Sequence, residues 1–377
     1  MANIPAPRSL VVLGGGIAGH AIAHRLKSLF AVTLVDPKTY LEVPMAAPRL
    51  LVDPDALQAR IPYSEFLDGV TLVQGRAAGL TDGSVAVEAA DGGVTSLPFD
   101  FCVIATGSRY ADPLIKAAAP TEAERAAEIA VAHARHARAR TVVIVGGGAV
   151  GVETAGEFLD ALPEVKVVLV DSGPALLPQA PSRFSGWATQ FLTKRGVELI
   201  LGDRVASPGL GEQPLGGVVT TASGRTIPAD AVVWATGVKV ATQFVSASWP
   251  GSVEPDGRVR TDPFLRVEGH PSVFVVGDAT NLPESRMAVI AGLHVKAVVA
   301  SLTALAGAKR PERVRLKPYK VQRPGEGMGK LMLVTLGRRA GLSSLPFGQF
   351  RARVFAKIKG EDMLVGRVRK DIGLDPA

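Results

Sequence analysis

Residues 141–171, TVVIVGGGAVGVETAGEFLDALPEVKVVLVD, decide the fold. An apolar run of strand character leads into a glycine-rich turn, a helical stretch, a second apolar run and an aspartate. Gly146, Gly148 and Gly151 fit G-x-G-x-x-G. In that pattern the first glycine permits a tight turn and the second lets backbone approach a pyrophosphate. The third lets helix and strand pack closely. The phosphates then meet the unpaired N–H groups and positive end of the helix, which here opens with Ala149 and Val150. Asp171, at the end of the second strand, can accept hydrogen bonds from a ribose diol.

Working outward, residues 9–36, SLVVLGGGIAGHAIAHRLKSLFAVTLVD, repeat the unit, with Gly14, Gly16, Gly19 and Asp36 in the corresponding places. Gly15, Ile17 and Ala18 complete that turn. One such motif is weak, because glycine turns serve many strand–helix junctions. Two copies, each with strand, helix and terminal acid, imply two dinucleotides and electron transfer between them.

The segment after Asp36, PKTYLEVPMAAPRLLVDPD, would run over the adenosine and pyrophosphate of a flavin dinucleotide. There Arg49, and less directly Lys38, could neutralise phosphate; a surface loop with solvated cations is the other reading. Residues 70–97 alternate apolar and polar residues between Asp-Gly and Gly-Gly turns and predict a β-meander. The run FDFCVIATG ends at Ala105-Thr106-Gly107, where backbone can approach a cofactor. Ala235-Thr236-Gly237 echoes it and marks where the chain returns to its first unit. In PSVFVVGDATN, Gly277-Asp278 closes a buried strand. Asp278 could bond a ribityl hydroxyl, and a helix starting near Met287 and Ala288 would point its positive end at the flavin.

Thr121 and Glu124 form a capping box opening a helix to about Arg140. On it His133 and His136 read as a solvated basic face, since no third ligand makes a metal site. Glu153 follows Gly151 in the second glycine helix. It reads equally as a group positioning the nicotinamide end of a nucleotide and as a first-turn acid complementing the dipole. No arginine directly follows Asp171, so a 2′-phosphate would face a carboxylate. NADH is therefore preferred, with NADPH as the alternative that Arg183 could serve by folding back. His294 and Lys296, on the helix after Asp278, read as packing and solvation.

Composition excludes several classes. Of 377 residues, 47% are hydrophobic, so the chain is globular, and a single cysteine, Cys102, leaves no disulfide framework and no redox pair. No G-x-S-x-G motif offers a nucleophile. The opening MANIPAPRS has no apolar signal region, and Ala2 replaces the glycine that N-myristoylation needs. The helix at 288–308 contains His294 and Lys296 and reads as buried or half-buried rather than spanning. A cytoplasmic or peripheral-membrane location is expected. Residues 309–377 hold 17 Lys+Arg and 6 Asp+Glu, a balance of +11. The first 308 residues then carry 42 − 17 = 25 against 35 − 6 = 29, or −4, so the net +7 belongs to the tail.

The order GGGIAG…D, ATG, GGGAVGVE…D, ATG, VFVVGD resembles the two-dinucleotide flavoproteins of the pyridine nucleotide–disulfide reductase superfamily over about residues 9–308. Within it, VPMAAPRLLVDP, GGGAVGVETAGE, LRVEGHPSVFVVGDATN, MAVIAGLHVKAVVASL and LGRRAGLSS are similar to the family of ferroptosis suppressor protein, or apoptosis-inducing factor homologue 2. That resemblance implies an α/β fold of two Rossmann-like domains, glutathione-reductase-like, with a small C-terminal α+β domain. The FAD-binding domain would comprise 1–110 and 238–308, the NAD(P)H-binding domain 111–237, and the basic domain 309–377. It implies non-covalent FAD on the first unit, contacted by the glycines, Arg49 and Asp278, and NAD(P)H on the second, with a functional role for Glu153.

It also implies that hydride passes from NADH to flavin N5 and that two electrons then reduce a ubiquinone-like lipid quinone. Two alternatives stay open: a ferredoxin- or rubredoxin-type reductase docking an acidic protein, and a non-enzymatic NADH-sensing protein related to apoptosis-inducing factor. Nucleic acid is not an expected partner. Arg351, Arg353, Lys357 and Lys359 would make a peripheral contact with anionic membrane, against the plainer reading of a solvated basic face. Nothing in the sequence sets an oligomeric state.

Overall fold

A computed structural model of the chain describes residues 7–351 and 359–376. Two parallel sheets, built from the two glycine units, organise it. The first is six-stranded, ordered Arg266–Val267, His270–Val275, Phe101–Ile104, Ser9–Leu13, Ala31–Asp36 and Thr71–Gln74. Only its first pair is antiparallel. The second is four-stranded and parallel, ordered Glu198–Leu201, Lys166–Asp171, Thr141–Val145 and Ala231–Trp234. Near-continuous apolar strands such as FCVI and TVVIV fit sheets covered on both faces. Both faces of each are buried in apolar clusters.

The chain leaves Phe101–Ile104 and Ala231–Trp234, which pair with Ser9–Leu13 and Thr141–Val145, through their Ala-Thr-Gly segments, and the two exits pair with one another. Ser108–Arg109 runs antiparallel to Lys239–Val240. This ribbon ties the first unit to the second just beyond the two Ala-Thr-Gly segments.

Three local expectations change. Thr71–Gln74 leaves the meander and joins the large sheet as its edge strand, whereas Arg76–Leu80, Ser84–Glu88 and Val94–Pro98 form the antiparallel three-stranded sheet. The break is at Gly75, where a β-carbon would lie 2.7 Å from Val87 Cγ1. The helix Glu122–Arg138 keeps its capping box, but its face is not simply solvated. Arg125 is fully buried against Glu42, with Nε to Oε2 at 2.7 Å and Nη2 to Oε1 at 2.8 Å. The buried His136 ring bonds the Leu51 carbonyl through Nδ1 at 3.0 Å.

Nor does segment 309–377 build a core of its own among the described residues. Val334 and Leu342 of its antiparallel sheet, with Leu336 of the turn between those strands, enter the second unit's core, while Met363, Val365 and Ile372 enter the first unit's. So few apolar side chains cannot bury themselves alone, so they cover faces that the two units leave open.

The helix Ala288–Ala306 alone among the described residues is long and apolar enough to cross a membrane. Here Ile290, His294, Val298, Ser301, Leu302 and Leu305 form a buried stripe, and it packs against the first glycine helix, Gly19–Leu26.

His20, on that glycine helix, is buried, and burial pushes its imidazole down from 6.5 to about 4, although Nδ1 bonds the Gly16 carbonyl at 2.8 Å. A lowered folded value means that the neutral ring stabilises the fold above the unfolded value, and that this is lost as pH falls through the folded one. Between pH 6.5 and 4 the His20 contribution should fall by about 3 kcal/mol. Urea unfolding across that window should show a visibly flatter acid limb for His20→Leu than for the wild type.

Candidate functional site

The two glycine turns are built alike. Gly14 holds φ +96° and Gly146 φ +116°, conformations that suit glycine. A β-carbon at Gly14 would lie 2.7 Å from the Ala105 carbonyl oxygen; one at Gly146 would lie 2.6 Å from Thr236 Cγ2. Each Ala-Thr-Gly segment is thus the wall against which its own turn packs. Gly19 and Gly151 lie against the carbonyls of Gly14 and Gly146, with no room for a side chain. The middle glycines differ: nothing lies within 4 Å of a β-carbon built on Gly16 or on Gly148. Tight packing at the outer glycines and open space at the middle one fit a backbone cradle for a pyrophosphate. Thr106 Oγ1, buried without a hydrogen-bond partner, adds a polar group for a ligand to meet.

The acids do a job that the sequence did not disclose. Asp36 Oδ2 accepts from the Gly15 N–H at 2.6 Å, and Oδ1 accepts from the Lys38 N–H at 2.8 Å and Nζ at 2.9 Å. Asp171 accepts from the Gly147 N–H at 2.5 Å and the Gly173 N–H at 2.6 Å. Each acid therefore braces its own glycine turn, and Lys38 is held by Asp36. Tyr63, unmarked by any motif, donates its hydroxyl to the Gly15 carbonyl at 3.1 Å. Burial, then the charge of Asp36, pushes its phenol well above the ordinary value, so it stays a donor.

Around Asp278 a second cluster forms. Gly277 has φ +66°, and Asp278 Oδ2 accepts from Ser108 Oγ at 2.6 Å. Lys116 Nζ lies 3.4 Å from that Ser108 oxygen, and its ammonium is pushed down by burial against the upward pull of Asp278. Gly277, Asp278, Arg286, Met287 and His294 line one pocket, and Ala288 begins the helix beside it. Gly107, at φ +60°, packs toward Lys116. Lys116 and Ser108 carry no sequence signature. Tyr110 lies between the two sites: burial first, then the negative fields of Asp278 and Glu153, push its phenol up.

Two assignments need correction. Arg49 does not stand free for a phosphate. Its Nε and Nη2 grip Glu157 at 2.9 Å each, and Nη1 and Nη2 bond the carbonyls of Glu361 at 2.8 Å and Gly360 at 2.6 Å. Four of its five donors are engaged in a site where the side chain is 3% exposed. Lys359, expected at a membrane surface, is instead buried: Nζ lies 2.5 Å from Glu153 Oε1, which also accepts from the Thr335 N–H at 2.9 Å. Of the other cations, Arg351 is exposed and bonds Gln190, whereas residues 353 and 357 lie outside the described residues. Glu153 is thus neither a solvated first-turn acid nor an isolated one. Its Oε2 has no hydrogen-bond partner among the described residues.

The only cysteine, Cys102, is fully buried in the central region of the six-stranded sheet, and burial pushes its thiol far up. No thiol is therefore placed for a disulfide relay. Two cradles with an acid cluster at each define a two-nucleotide oxidoreductase.

Comparison agrees. A profile of the pyridine nucleotide-disulphide oxidoreductases matches residues 8–296, and the chain belongs to that family as an NAD(P)H-dependent flavin oxidoreductase. It is 30% identical to human ferroptosis suppressor protein 1 over 383 residues, covering 97% of this chain and 96% of that protein. It is 27% identical to apoptosis-inducing factor homolog B of Dictyostelium discoideum, over 96% of this chain and 95% of the other. NDH2 from Plasmodium falciparum, solved in complex with NADH, superposes with a TM-score of 0.72 at 13% identity, covering 93% of each chain.

The Arg49–Glu157 pair yields a stability test. Arg49→Met leaves the Glu157 carboxylate buried and unpaired and should lower unfolding free energy by about 3–5 kcal/mol. Adding Glu157→Leu should recover part of that loss in chemical denaturation, giving a non-additive double-mutant cycle.

Proposed function

We propose that the protein is an NAD(P)H:quinone oxidoreductase, with non-covalent FAD on the first glycine unit, NADH on the second and a ubiquinone-like lipid quinone as acceptor. One observation carries the reading: the chain builds two dinucleotide cradles while its single cysteine is buried in a sheet core, so electrons have no thiol relay and leave to a separate acceptor. The resemblance to the ferroptosis suppressor family, which implies reduction of lipid quinones, favours a quinone as that acceptor.

FAD, when bound, supplies the two-electron redox chemistry between nicotinamide and quinone. The protein's residues bind and orient. Gly16 and Gly148 leave backbone room for phosphates, and Asp36 and Asp171 hold the turns while offering free lone pairs to ribose. Asp278, steadied by Ser108, is placed to take a ribityl hydroxyl. Glu153, anchored through Oε1, leaves Oε2 to accept from a nicotinamide carboxamide. Asp171 at the second turn favours NADH, since a 2′-phosphate would sit beside its carboxylate.

A protein acceptor is the second reading. Lys309, Arg310, Arg313, Arg315, Lys317, Lys320 and Arg323 are exposed and form no ion pair among the described residues. Such a row would steer an acidic partner.

Anaerobic stopped-flow separates them. Mixing with NADH should bleach the flavin band, and a short-chain ubiquinone should restore it rapidly. Recovery that is slow with quinone and fast with an acidic ferredoxin would replace the first reading by the second. Glu153→Gln should keep FAD yet slow bleaching by about 10²-fold, as expected when the nicotinamide is misplaced by about 1 Å. Bleaching at the wild-type rate would return Glu153 to a purely structural role. Asp278→Ala should purify with well under one FAD per chain, read from the ratio of flavin to protein absorbance.

A further inference from the structure

The helix Ala288–Ala306 carries a histidine whose contacts are too specific for filler. His294 is 1% exposed at its side chain. The Gly277 N–H donates to its Nδ1 at 3.0 Å. Accepting there leaves the ring proton on Nε2, which donates to Glu284 Oε2 at 2.7 Å. Glu284 is itself only 4% exposed, and its Oε1 accepts from the Tyr319 hydroxyl at 2.9 Å and from the Gln322 N–H. The Tyr319 ring stands edge-on to His294 with centroids 4.9 Å apart. Every partner in this chain of bonds has a defined polarity, from Gly277 through His294 to Glu284 and on to the C-terminal segment.

We propose that His294 and Glu284 are a positioning pair for the flavin, which fixes the Gly277–Asp278 turn from behind and makes its placement depend on residues 319–322. The turn is thereby held on two sides: His294 grips the Gly277 N–H, and Ser108 grips the Asp278 carboxylate at 2.6 Å. Burial alone would raise the Glu284 carboxyl, but donation from His294, Gln322 and Tyr319 outweighs it and holds the group below its ordinary value, as an anion that keeps the imidazole oriented. Neither residue touches the quinone or the nicotinamide in this account. Their effect on the reaction runs through Asp278. The inference rests on FAD occupying the first cradle, and its test distinguishes failure of that reading from its own.

Polarity makes the test specific. Glu284→Gln is nearly isosteric, but facing His294 with an amide N–H would force the ring proton onto Nδ1, where it would oppose the Gly277 N–H. His294→Asn places an acceptor near the former Nδ1 and cannot reach Glu284. FAD dissociation constants, from the return of free-flavin fluorescence, and the visible circular dichroism of bound flavin are the readouts.

We expect His294→Leu and Glu284→Gln each to weaken FAD binding by about tenfold, the scale of one buried hydrogen bond left unmade, and to alter the dichroism. His294→Asn, which keeps an acceptor for the Gly277 N–H but loses Glu284, should lose less affinity than His294→Leu, and Glu284→Gln should add nothing in the His294→Asn background. Wild-type affinity and dichroism in Glu284→Gln would overturn the proposal, as would the same loss from Glu284→Gln with or without His294. Should His294→Leu fail to fold, these Glu284 and Asn variants decide it. A wild-type protein that binds no FAD would refute the cradle assignment instead.

Discussion

Two carboxylates on one face of the second glycine helix, Ala149–Ala161, govern how the rest of the molecule is arranged. Glu153 and Glu157 lie one turn apart, both buried, and a buried carboxylate is tolerable only when paired and hydrogen-bonded. Lys359 and the Thr335 N–H satisfy the first; Arg49 satisfies the second and spends its remaining reach on the carbonyls of residues 360 and 361. The short helix Ala47–Leu50 of the first unit, the second glycine helix and the C-terminal chain therefore meet at one ionic junction. That demand explains why Arg49 is unavailable to a phosphate and why residues 309–377 cover other cores instead of forming one.

The two nucleotide turns share a plan and differ in their covers. In both, the terminal aspartate bonds the N–H of the glycine between the first two motif glycines. In the first unit the Tyr63 hydroxyl sits over Gly15; in the second, Leu176 packs against Gly147. An aspartate that already braces its loop presents an ordered set of remaining N–H groups, which lowers the ordering cost when a dinucleotide arrives. The antiparallel ribbon at Ser108–Arg109 and Lys239–Val240 joins the two units just beyond the Ala-Thr-Gly segments against which the turns pack.

The family to which the chain belongs is named for disulphide chemistry, and this chain lacks the thiols for it. Cys102 is a small core residue in a strand buried on both faces. What remains around the cradles is a set of acids, tyrosines and the lysines Lys116 and Lys359. Such groups orient and polarise cofactors without forming covalent bonds to a substrate.

Much of this was legible along the chain because it depends on local spacing. The glycines of both turns, the terminal acids, the capping box at Thr121 and Glu124, and the Ala-Thr-Gly exits each constrain the backbone within a few residues, and the structure places them as those constraints require. The meander departs from its sequence pattern at one point: residues 71–74 look the same in a hairpin and in an edge strand, and the chain breaks at Gly75. The ionic and histidine contacts were not legible at all. Arg49 and Glu157 lie 108 residues apart, Glu153 and Lys359 lie 206 apart, and Tyr319 reaches Glu284 across 35. A charged residue has the same sequence signature whether solvated or buried. So the sequence by itself determined two dinucleotide units and their turns, through steric rules that act between neighbours. Only the tertiary structure decided which charges are spent on assembly and which face a ligand, because burial and its compensation are properties of packing across the whole chain.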